Sequence, residues 1–357
     1  MSAWNFADVW EVVAQVLPEA TALAHGERRE TWSELDSRAD GLAATFLELG
    51  ASHQDKVAHY LYNCPEYLES MFAIFKAGLA PVNTNYRYGP EELVYLWDNA
   101  DATVVLFHGE FTENIESIRS KLPGVHSWVW VNDGRNDCPP WATPYETAAA
   151  LQAKRVYPSW GRSPDDLYIL YTGGTTGYPK GVMWRQDDLF ASLNSASLLP
   201  FPDEGGAGGV RAALKGPGMV HLPACPLMHG TGALTSFNAL STGGSVVTLT
   251  GHSFDATELL DTVERERVNS LAIVGDAFAK PVLRALDENP GKWDISSLVM
   301  IVSSGVMWSE ESKAGLHRHH EGMLLVDTFS SSEALGMGTS VSSPGAEAHT
   351  AFFRLGE

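Results

Sequence analysis

The stretch Tyr171–Trp184 reads YTGGTTGYPKGVMW. Ahead of it stands Leu167-Tyr168-Ile169-Leu170, an apolar and β-prone run, and it closes on the apolar Val182-Met183-Trp184. This pattern predicts a strand, a glycine-rich loop and a second strand. Gly173, Gly174, Gly177 and Gly181 let the backbone turn tightly and bring N–H groups close to an anion. Thr172, Thr175 and Thr176 add hydroxyl donors, Lys180 adds a mobile positive charge, and Pro179 stiffens the exit. A polyphosphate suits such a set. The loop is not of the Walker type, which ends Gly-Lys-Ser/Thr and opens a helix. Here Pro179 precedes the lysine, Gly181 follows it, and a strand comes next. The alternative is a glycine-rich hairpin that binds nothing.

Residues 172–181, TGGTTGYPKG, resemble the signature of the adenylate-forming enzymes, which runs close to Ser/Thr-Ser/Thr-Gly-Ser/Thr-Thr-Gly-x-Pro-Lys-Gly. That family includes acyl-CoA synthetases, luciferases and peptide-synthetase adenylation domains. Gly173 stands where Ser or Thr is usual, which removes one hydroxyl and keeps the backbone donors. Extended to Arg185, the stretch most resembles actinobacterial acyl-CoA synthetases, including ligases for steroid side-chain acids. The resemblance runs over essentially the whole chain.

The 357 residues suffice for a large core and more than one subdomain. Lys and Arg number 24 against 44 Asp and Glu, a net charge of −20, which argues against nucleic acid and anionic membranes as main partners. A local field can still favour a small anion. Cys64, Cys138 and Cys225 are widely spaced and show no disulfide framework or zinc pattern, as suits a reducing cytoplasm. The first residues carry acidic groups and no basic n-region, so no signal peptide is expected. No apolar run reaches membrane-spanning length, so no integral membrane contact is expected.

Outward from the loop, the chain alternates. Helices are predicted over 4–17 and 31–49, the latter with Ser33 as cap and Leu35, Ala39, Leu42 and Phe46 on one face. A strand at 56–61, a helix at 67–77 ended by Gly78, an extended 80–83 and a helix at 90–99 follow. Pro90 near the first turn and Glu91 and Glu92 at the dipole's positive end support that last helix. Then come a strand at 103–107, a helix at 111–121 and a strand at 128–131. Residues 132–164 read as a connector to the loop. Beyond it, 186–198 reads as a helix and 199–218, rich in Gly and Pro, as a mobile surface loop. A second run predicts strands at 219–222, 245–249, 270–274, 298–302 and 323–326, interleaved with helices at 230–241, 256–267, 277–287 and 309–320. The fold class expected is α/β with largely parallel strands. It matches the family's N-terminal domain of two α/β sheet subdomains. One would cover roughly 1–185 and end in the phosphate loop; the other would cover 186–340, with 341–357 as the start of a further β region.

Other constellations gain meaning from the resemblance. Asp327-Thr328-Phe329-Ser330-Ser331-Ser332-Glu333 follows the last predicted strand, and ligands of open α/β sheets gather at strand carboxyl ends. The resemblance implies Phe329 against adenine, Ser332 on the α-phosphate and Glu333 on Mg²⁺. Ser330 replaces the usual Gly beside the nucleotide. A plain serine-capped acidic helix start is the competing reading. Ser303-Ser304-Gly305 ends another strand; the family uses this turn to line the adenine and acyl pocket. Pro226-Leu227-Met228-His229-Gly230 resembles a segment whose His lies between acid and nucleotide. Amino-acid-activating relatives place an Asp near there, and its absence favours a simple carboxylic acid. Gly275, Asp276 and Phe278 fall where relatives line the acyl tunnel, although Asp276 also suits a helix cap. His317, His319 and His320 read as exposed residues of a surface helix rather than a metal cluster.

The resemblance therefore implies an acyl-CoA synthetase that uses ATP, Mg²⁺ and CoA on a carboxylic acid and leaves room for a homodimer. Thr172, Thr176, Lys180 and Glu333 are the expected catalytic residues. The family's C-terminal lid, with its catalytic Lys, is not found up to Glu357. Alternatives are transfer to a carrier-protein thiol and a nucleotide-binding module without catalysis.

Overall fold

The structure, a computed structural model, describes residues 4–151, 153–173, 177–198, 200–202, 206–342 and 353–355. In chain order the elements begin α1 (Phe6–Val16), β1 (Thr21–His25), β2 (Arg28–Thr31), α2 (Trp32–Glu48), β3 (Lys56–Tyr60), α3 (Pro65–Lys76) and β4 (Ala80–Asn83). Next come α4 (Pro90–Asn99), β5 (Ala102–His108), α5 (Thr112–Ile118), β6 (Ser127–Val131), β7 (Thr143–Pro144), α6 (Tyr145–Ala149), β8 (Leu167–Thr172) and β9 (Lys180–Arg185). They continue with α7 (Gln186–Ser195), α8 (Gly206–Ala213), β10 (Val220–Pro223), α9 (Gly230–Ser241), β11 (Ser245–Thr248), α10 (Ala256–Glu266), β12 (Ser270–Ile273) and α11 (Asp276–Glu288). The last are β13 (Met300–Ser304), α12 (Glu310–His319), β14 (Leu324–Phe329), β15 (Gly338–Ser342) and β16 (Arg354–Leu355). The expected α/β alternation is present. Among the described residues no helix is long and apolar enough to cross a membrane.

The chain forms two compact units. The first comprises Met1–Ala20, Thr31–Ala191 and Phe201–Lys215, around a sheet of order β7-β6-β5-β3-β4-β8-β9. Ala58 and Tyr60, Ala80 and Val82, Val105 and Phe107, and Ile169 and Tyr171 turn one face of it toward Leu93, Leu96 and Trp97 of α4 and Ile115 of α5. This is the period-2 alternation of a sheet meeting the apolar stripe of a helix. On the other face His59 stacks on Tyr67 of α3. Phe75 and Phe72 of α3 meet Phe6 and Trp10 of α1 in turn.

Charge is buried beneath these helices. Lys76, 0 % exposed, donates to Glu11 at 3.0 Å and Asp40 at 2.9 Å and pairs with Asp36 at 2.7 Å. Arg162 reaches Glu11 at 2.7 Å, and Arg155 pairs with Asp36. Burial alone would raise the Glu11 carboxyl, but the Arg162 bond and the charges of Lys76 and Arg162 hold it below its ordinary value. At Asp40 burial wins over Lys76 and the carboxyl lies above its ordinary value.

The second unit comprises Thr21–Glu30, Ser192–Pro200 and Gly216–Glu357. Its sheet has the order β16-β15-β14-β13-β12-β10-β11-β1-β2. Strands β1, β11, β10, β12, β13 and β14 pair in parallel, whereas β15 and β16 are antiparallel additions. Leu259, Leu260 and Val263 of α10, Val282 and Leu286 of α11 and Leu316 of α12 share one core with Leu222, Leu271, Ile301 and Leu325 of the strands.

The structure departs from the sequence reading in several places. Helix α2 is capped by Thr31, whose side chain accepts from the Glu34 amide while Glu34 bonds back to the Thr31 amide; Ser33 is not the cap. The 199–218 segment contains α8, a helix despite its glycines. Val210 is fully buried and Arg211 bonds Gln15 of α1, so tertiary contact outweighs weak propensity. The 132–164 connector contains β7 and α6, fixed to α2 by the Arg38–Glu146 bonds and by Thr45 Oγ1 donating to Ala148 O. Strand β14 runs on to Phe329.

Two predictions arise here. Lys76→Met leaves Glu11, Asp36 and Asp40 facing one another in a buried site, and costs about 3 kcal/mol in urea unfolding at neutral pH; a loss below about 1 kcal/mol would contradict this. The second concerns pH. Burial drives the His59 imidazole down to about 3 and that of His221 on β10 down to about 4. Unfolded histidine binds its proton near pH 6.5, so below that value the unfolded state takes up protons that the native state refuses. Stability is therefore full above about pH 6.5 and falls as pH drops toward 4, by roughly 3 kcal/mol for His221 alone. Thermal midpoints across that range should fall in the wild type and fall less steeply in His221→Gln.

Candidate active site

In the first unit the glycine-rich loop spans a β-hairpin. β8 and β9 are antiparallel, with Thr172 opposite Lys180 and Tyr171 opposite Gly181. Thr172 ends its strand half-buried and Lys180 starts the next one exposed. Gly173 and Gly177 are exposed, the latter with φ +118°, while Gly174, Thr175 and Thr176 lie outside the described residues. No carboxylate pairs with Lys180 among the described residues. The hairpin base is locked. The Asn83 side chain accepts from Tyr171 N at 2.6 Å and donates to Tyr171 O at 2.9 Å, replacing a strand neighbour at the end of β4. Tyr171 Oη donates to Asn99 Oδ1 at 2.8 Å, and burial pushes its phenol up to about 12. Beyond Gly177, Tyr178 stacks on Tyr95 of α4 with centroids 4.3 Å apart. Gly181 is set by a close approach, since a Cβ there would lie 2.7 Å from Tyr171 Cε2.

In the second unit the strand order β11-β10-β12-β13-β14 reverses at β10. The chain leaves β10 for β11 on one side, then crosses back to β12 on the other. Crevices at such switch points, outside the carboxyl ends of the strands, are where open α/β sheets take ligands. The register aligns those ends: Pro223 with Ala272, Ile273 with Ser303, and Ser304 with Thr328. One sheet edge therefore carries His229 and Gly230 after β10, Gly275, Asp276 and Phe278 after β12, Ser303 and Ser304 at the end of β13 with Gly305 just past it, and Phe329 at the end of β14 with Ser330, Ser332 and Glu333 in the turn beyond.

These turns are bonded to one another. Gly275 N donates to Ser303 Oγ at 2.9 Å, Thr328 Oγ1 to Ser303 O at 3.1 Å, and Ser304 Oγ to Thr328 O at 3.1 Å. Gly275 has φ +53°, and a Cβ there would lie 2.6 Å from Met307 O, so no other residue fits. Asp276 Oδ1 accepts from Ser309 N at 3.1 Å and Ser309 Oγ at 3.0 Å, and its other oxygen meets Lys280 at 3.1 Å. Burial alone would raise this carboxyl, but the Ser309 bonds and Lys280 hold it below its ordinary value. Phe278 packs edge-on against Phe254, centroids 4.7 Å apart. Ser330 Oγ accepts from Gly336 N at 3.0 Å and shapes the turn after β14. Phe329 is 53 % and Met307 68 % exposed, which gives this polar edge an apolar floor. Glu333 is exposed, and no cation pairs with it among the described residues. His229 stands exposed at the N-cap of α9.

The model of the family described as AMP-binding enzyme matches residues 10–352. The chain belongs to this family of AMP-binding enzymes. It is 34% identical over 369 residues to the medium-chain acyl-CoA ligase Mig of Mycobacterium avium, covering 98% of this chain and 66% of that protein. It is 35% identical over 340 residues to a 3-oxocholest-4-en-26-oate–CoA ligase of Rhodococcus rhodochrous, covering 93% of this chain and 60% of the relative. The chain thus spans less than two thirds of the length of these curated relatives. Among solved structures, the anthranilate CoA ligase AuaEII in complex with anthranoyl-AMP superposes with a TM-score of 0.82 at 21% identity, over 97% of this chain and 64% of that one. At that identity the likeness shows a shared fold.

Some residues that shape this AMP-binding enzyme carry no signal in the sequence. Asn83 is one polar residue at the end of a short strand, and only its burial marks it. Thr328 and Ser309 look like ordinary polar residues until the register sets them beside Ser303 and Asp276. The three histidines of the last helix are half-buried rather than exposed. His317 bonds Met323 O at 3.1 Å, His319 bonds Asp287 at 2.7 Å and His320 bonds Leu298 O at 2.9 Å, three partners in three places.

The crowding at Gly181 is testable. Gly181→Ala should force the Tyr171 ring off Asn99 and cost about 1–3 kcal/mol in urea unfolding. Gly173→Ala, with nothing within 4 Å of its Cβ, should cost about 0.5 kcal/mol or less. Equal losses would contradict the clamp.

Proposed function

We propose that this AMP-binding enzyme is the acid- and nucleotide-binding part of an AMP-forming acyl-CoA synthetase acting on a fatty or steroid side-chain acid. The observation that supports the reading is the single sheet edge that carries the ring of Phe329, the hydroxyls of Ser303 and Ser304 and, in the turn beyond β14, the exposed carboxylate of Glu333, in a sheet whose strand order reverses at β10. The named activities of relatives 34% and 35% identical support the acid class and CoA as acceptor. No Asp lies in Pro226–Gly232 to hold a substrate ammonium, which supports a simple carboxylic acid. A cytoplasmic location suits ATP and CoA as co-substrates.

In the first step a carboxylate oxygen of the acid attacks the α-phosphorus of ATP. An acyl–O–P bond forms, the bond to the β-phosphate oxygen breaks, and pyrophosphate leaves. In the second step the CoA thiol, losing its proton, attacks the acyl carbon and AMP leaves with the bonding pair. Catalysis of the first step is positioning and charge stabilisation. Thr172, Gly173, Gly174, Thr175, Thr176, Gly177 and Lys180 are the residues assigned to the phosphates by their chemistry, with Lys180 balancing the charge of the departing pyrophosphate. Ser332 donates to the α-phosphate, and Phe329 lies on adenine, with Ser304, Gly305 and Ser330 beside it. His229 and Gly230 border the acid, and the buried Gly275 and Ser303, bonded to each other, hold that border together with Asp276 and Phe278.

Magnesium binds through one or two carboxylates together with substrate phosphates and water rather than in an all-protein cage. Glu333, an exposed carboxylate beyond the end of β14, fits that requirement, and no group of three ligating side chains lies together among the described residues. Bound there, Mg²⁺ would neutralise phosphate charge.

Calorimetry with non-hydrolysable acyl-adenylate analogues tests the reading. Binding should depend on the acyl group across short, long and steroid-type chains. Lys180→Ala should weaken Mg·ATP by about tenfold or more while leaving the analogue within about threefold, because the analogue lacks the β- and γ-phosphates. Glu333→Gln should abolish the magnesium dependence of ATP binding. Absence of analogue binding, or affinity indifferent to the acyl group, would overturn the reading.

A further inference from the structure

Beneath the carboxyl edge of the second sheet lies a charge pair that the proposed chemistry does not use. Lys313 of α12 is 0 % exposed, and its Nζ donates to Asp327 Oδ2 at 3.3 Å. Its ammonium also lies 5.4 Å from the ring centroid of Trp308, itself fully buried below the turn after β13. Asp327 is 5 % exposed on β14, two residues before Phe329 and on the same side of the strand. Its register partners are Ser303 on one side and Ser340 on the other. Burial raises the Asp327 carboxyl and Lys313 only partly offsets this, so the charged pair is costly to keep. A Leu or Met at either position would fill the same core more cheaply.

The rest of α12 gives the cost a purpose. Ser309, its N-cap, is held by Asp276, the first residue of α11 just past the turn after β12. Ser309 Oγ and Ser312 Oγ are 2.9 Å apart. One turn further along the same helical face, Lys313 meets Asp327 and Trp308. A single face of one helix therefore fastens the turns after β12 and β13 to the strand end from which Phe329, Ser330, Ser332 and Glu333 hang. The strand ladders set the register of β14, and an apolar contact there would add only a non-directional link to α12, whereas an ion pair ties the helix to one point of the strand end.

We propose that Lys313 and Asp327 are positioning residues that set the Phe329–Glu333 turn against the Ser303–Gly305 turn for nucleotide binding. The inference rests on the adenylate reading above and adds residues that touch neither nucleotide nor acid.

The test separates stability from positioning. Thermal midpoints and calorimetric binding of AMP and of an acyl-adenylate analogue are measured on wild type, Lys313→Met, Asp327→Asn and the double variant Lys313→Met with Asp327→Leu. Lys313→Met leaves a buried lone carboxylate and should lower both midpoint and affinity. The double variant should recover the midpoint yet bind AMP and the analogue about tenfold or more weakly, with the preference among acyl groups unchanged. Asp327→Asn keeps the shape and an acceptor for Lys313, and should weaken AMP by about threefold or more even if the Met variants fail to fold. Wild-type affinity in a folded double variant, or in Asp327→Asn, overturns the inference and leaves the adenylate reading standing. Failure of the wild type itself to bind AMP and analogue overturns that reading, and the inference with it.

Discussion

The parallel register of β10, β12, β13 and β14 is the constraint on which the candidate site depends. Parallel strands all end at the same edge, so each carboxyl-terminal turn opens in the same place whatever its distance along the chain. Gly275, Ser303 and Thr328 are remote in sequence yet bonded to one another in a row across that edge. A slip of one residue in β13 or β14 would turn Ser303 or Thr328 to the wrong face and break the row. The strand order reverses at β10, and the edge beside such a reversal is where open α/β sheets take ligands.

Polar groups hold the edge where apolar packing alone would leave freedom. Ser303, Asp276, Ser309 and the Lys313–Asp327 pair are all buried or half-buried and all bonded. The hairpin of the first unit uses the same means: the Asn83 amide bridges both backbone groups of Tyr171, and the Tyr171 ring occupies the space that a side chain at 181 would need. In each case the exposed residues suited to ligand chemistry stand on a base whose groups are fully engaged, so little rearrangement is needed when a ligand arrives.

Much of this was legible in the sequence, for physical reasons. The central strands are short apolar β-branched runs, and helices such as Pro90–Asn99 and Gly230–Ser241 carry clear periodicity and ends. The candidate phosphate-binding residues stood out by chemistry: threonines, glycines and a lysine in one loop have few other uses. Other parts could not be read. β2, Arg-Arg-Glu-Thr, is a charged edge strand whose pairing with β1 comes from the sheet and not from its own pattern. α8 is helical because Val210 and Arg211 find partners outside it. Lys313 in an otherwise polar helix reads as a solvated residue, and nothing short of the register reveals that it lies beneath the strand end bearing Phe329.

The most direct test of the account is hydrogen exchange with and without a bound acyl-adenylate analogue. If ligand sits at the carboxyl edge of the second sheet, exchange should slow at the amides of 275–276, 303–307 and 329–334, while the opposite ends of the same strands, near Ser270, Met300 and Leu324, stay unchanged. Protection confined to those opposite ends, or absent from all three turns while the analogue is bound, would contradict the claim that the aligned strand ends form the site.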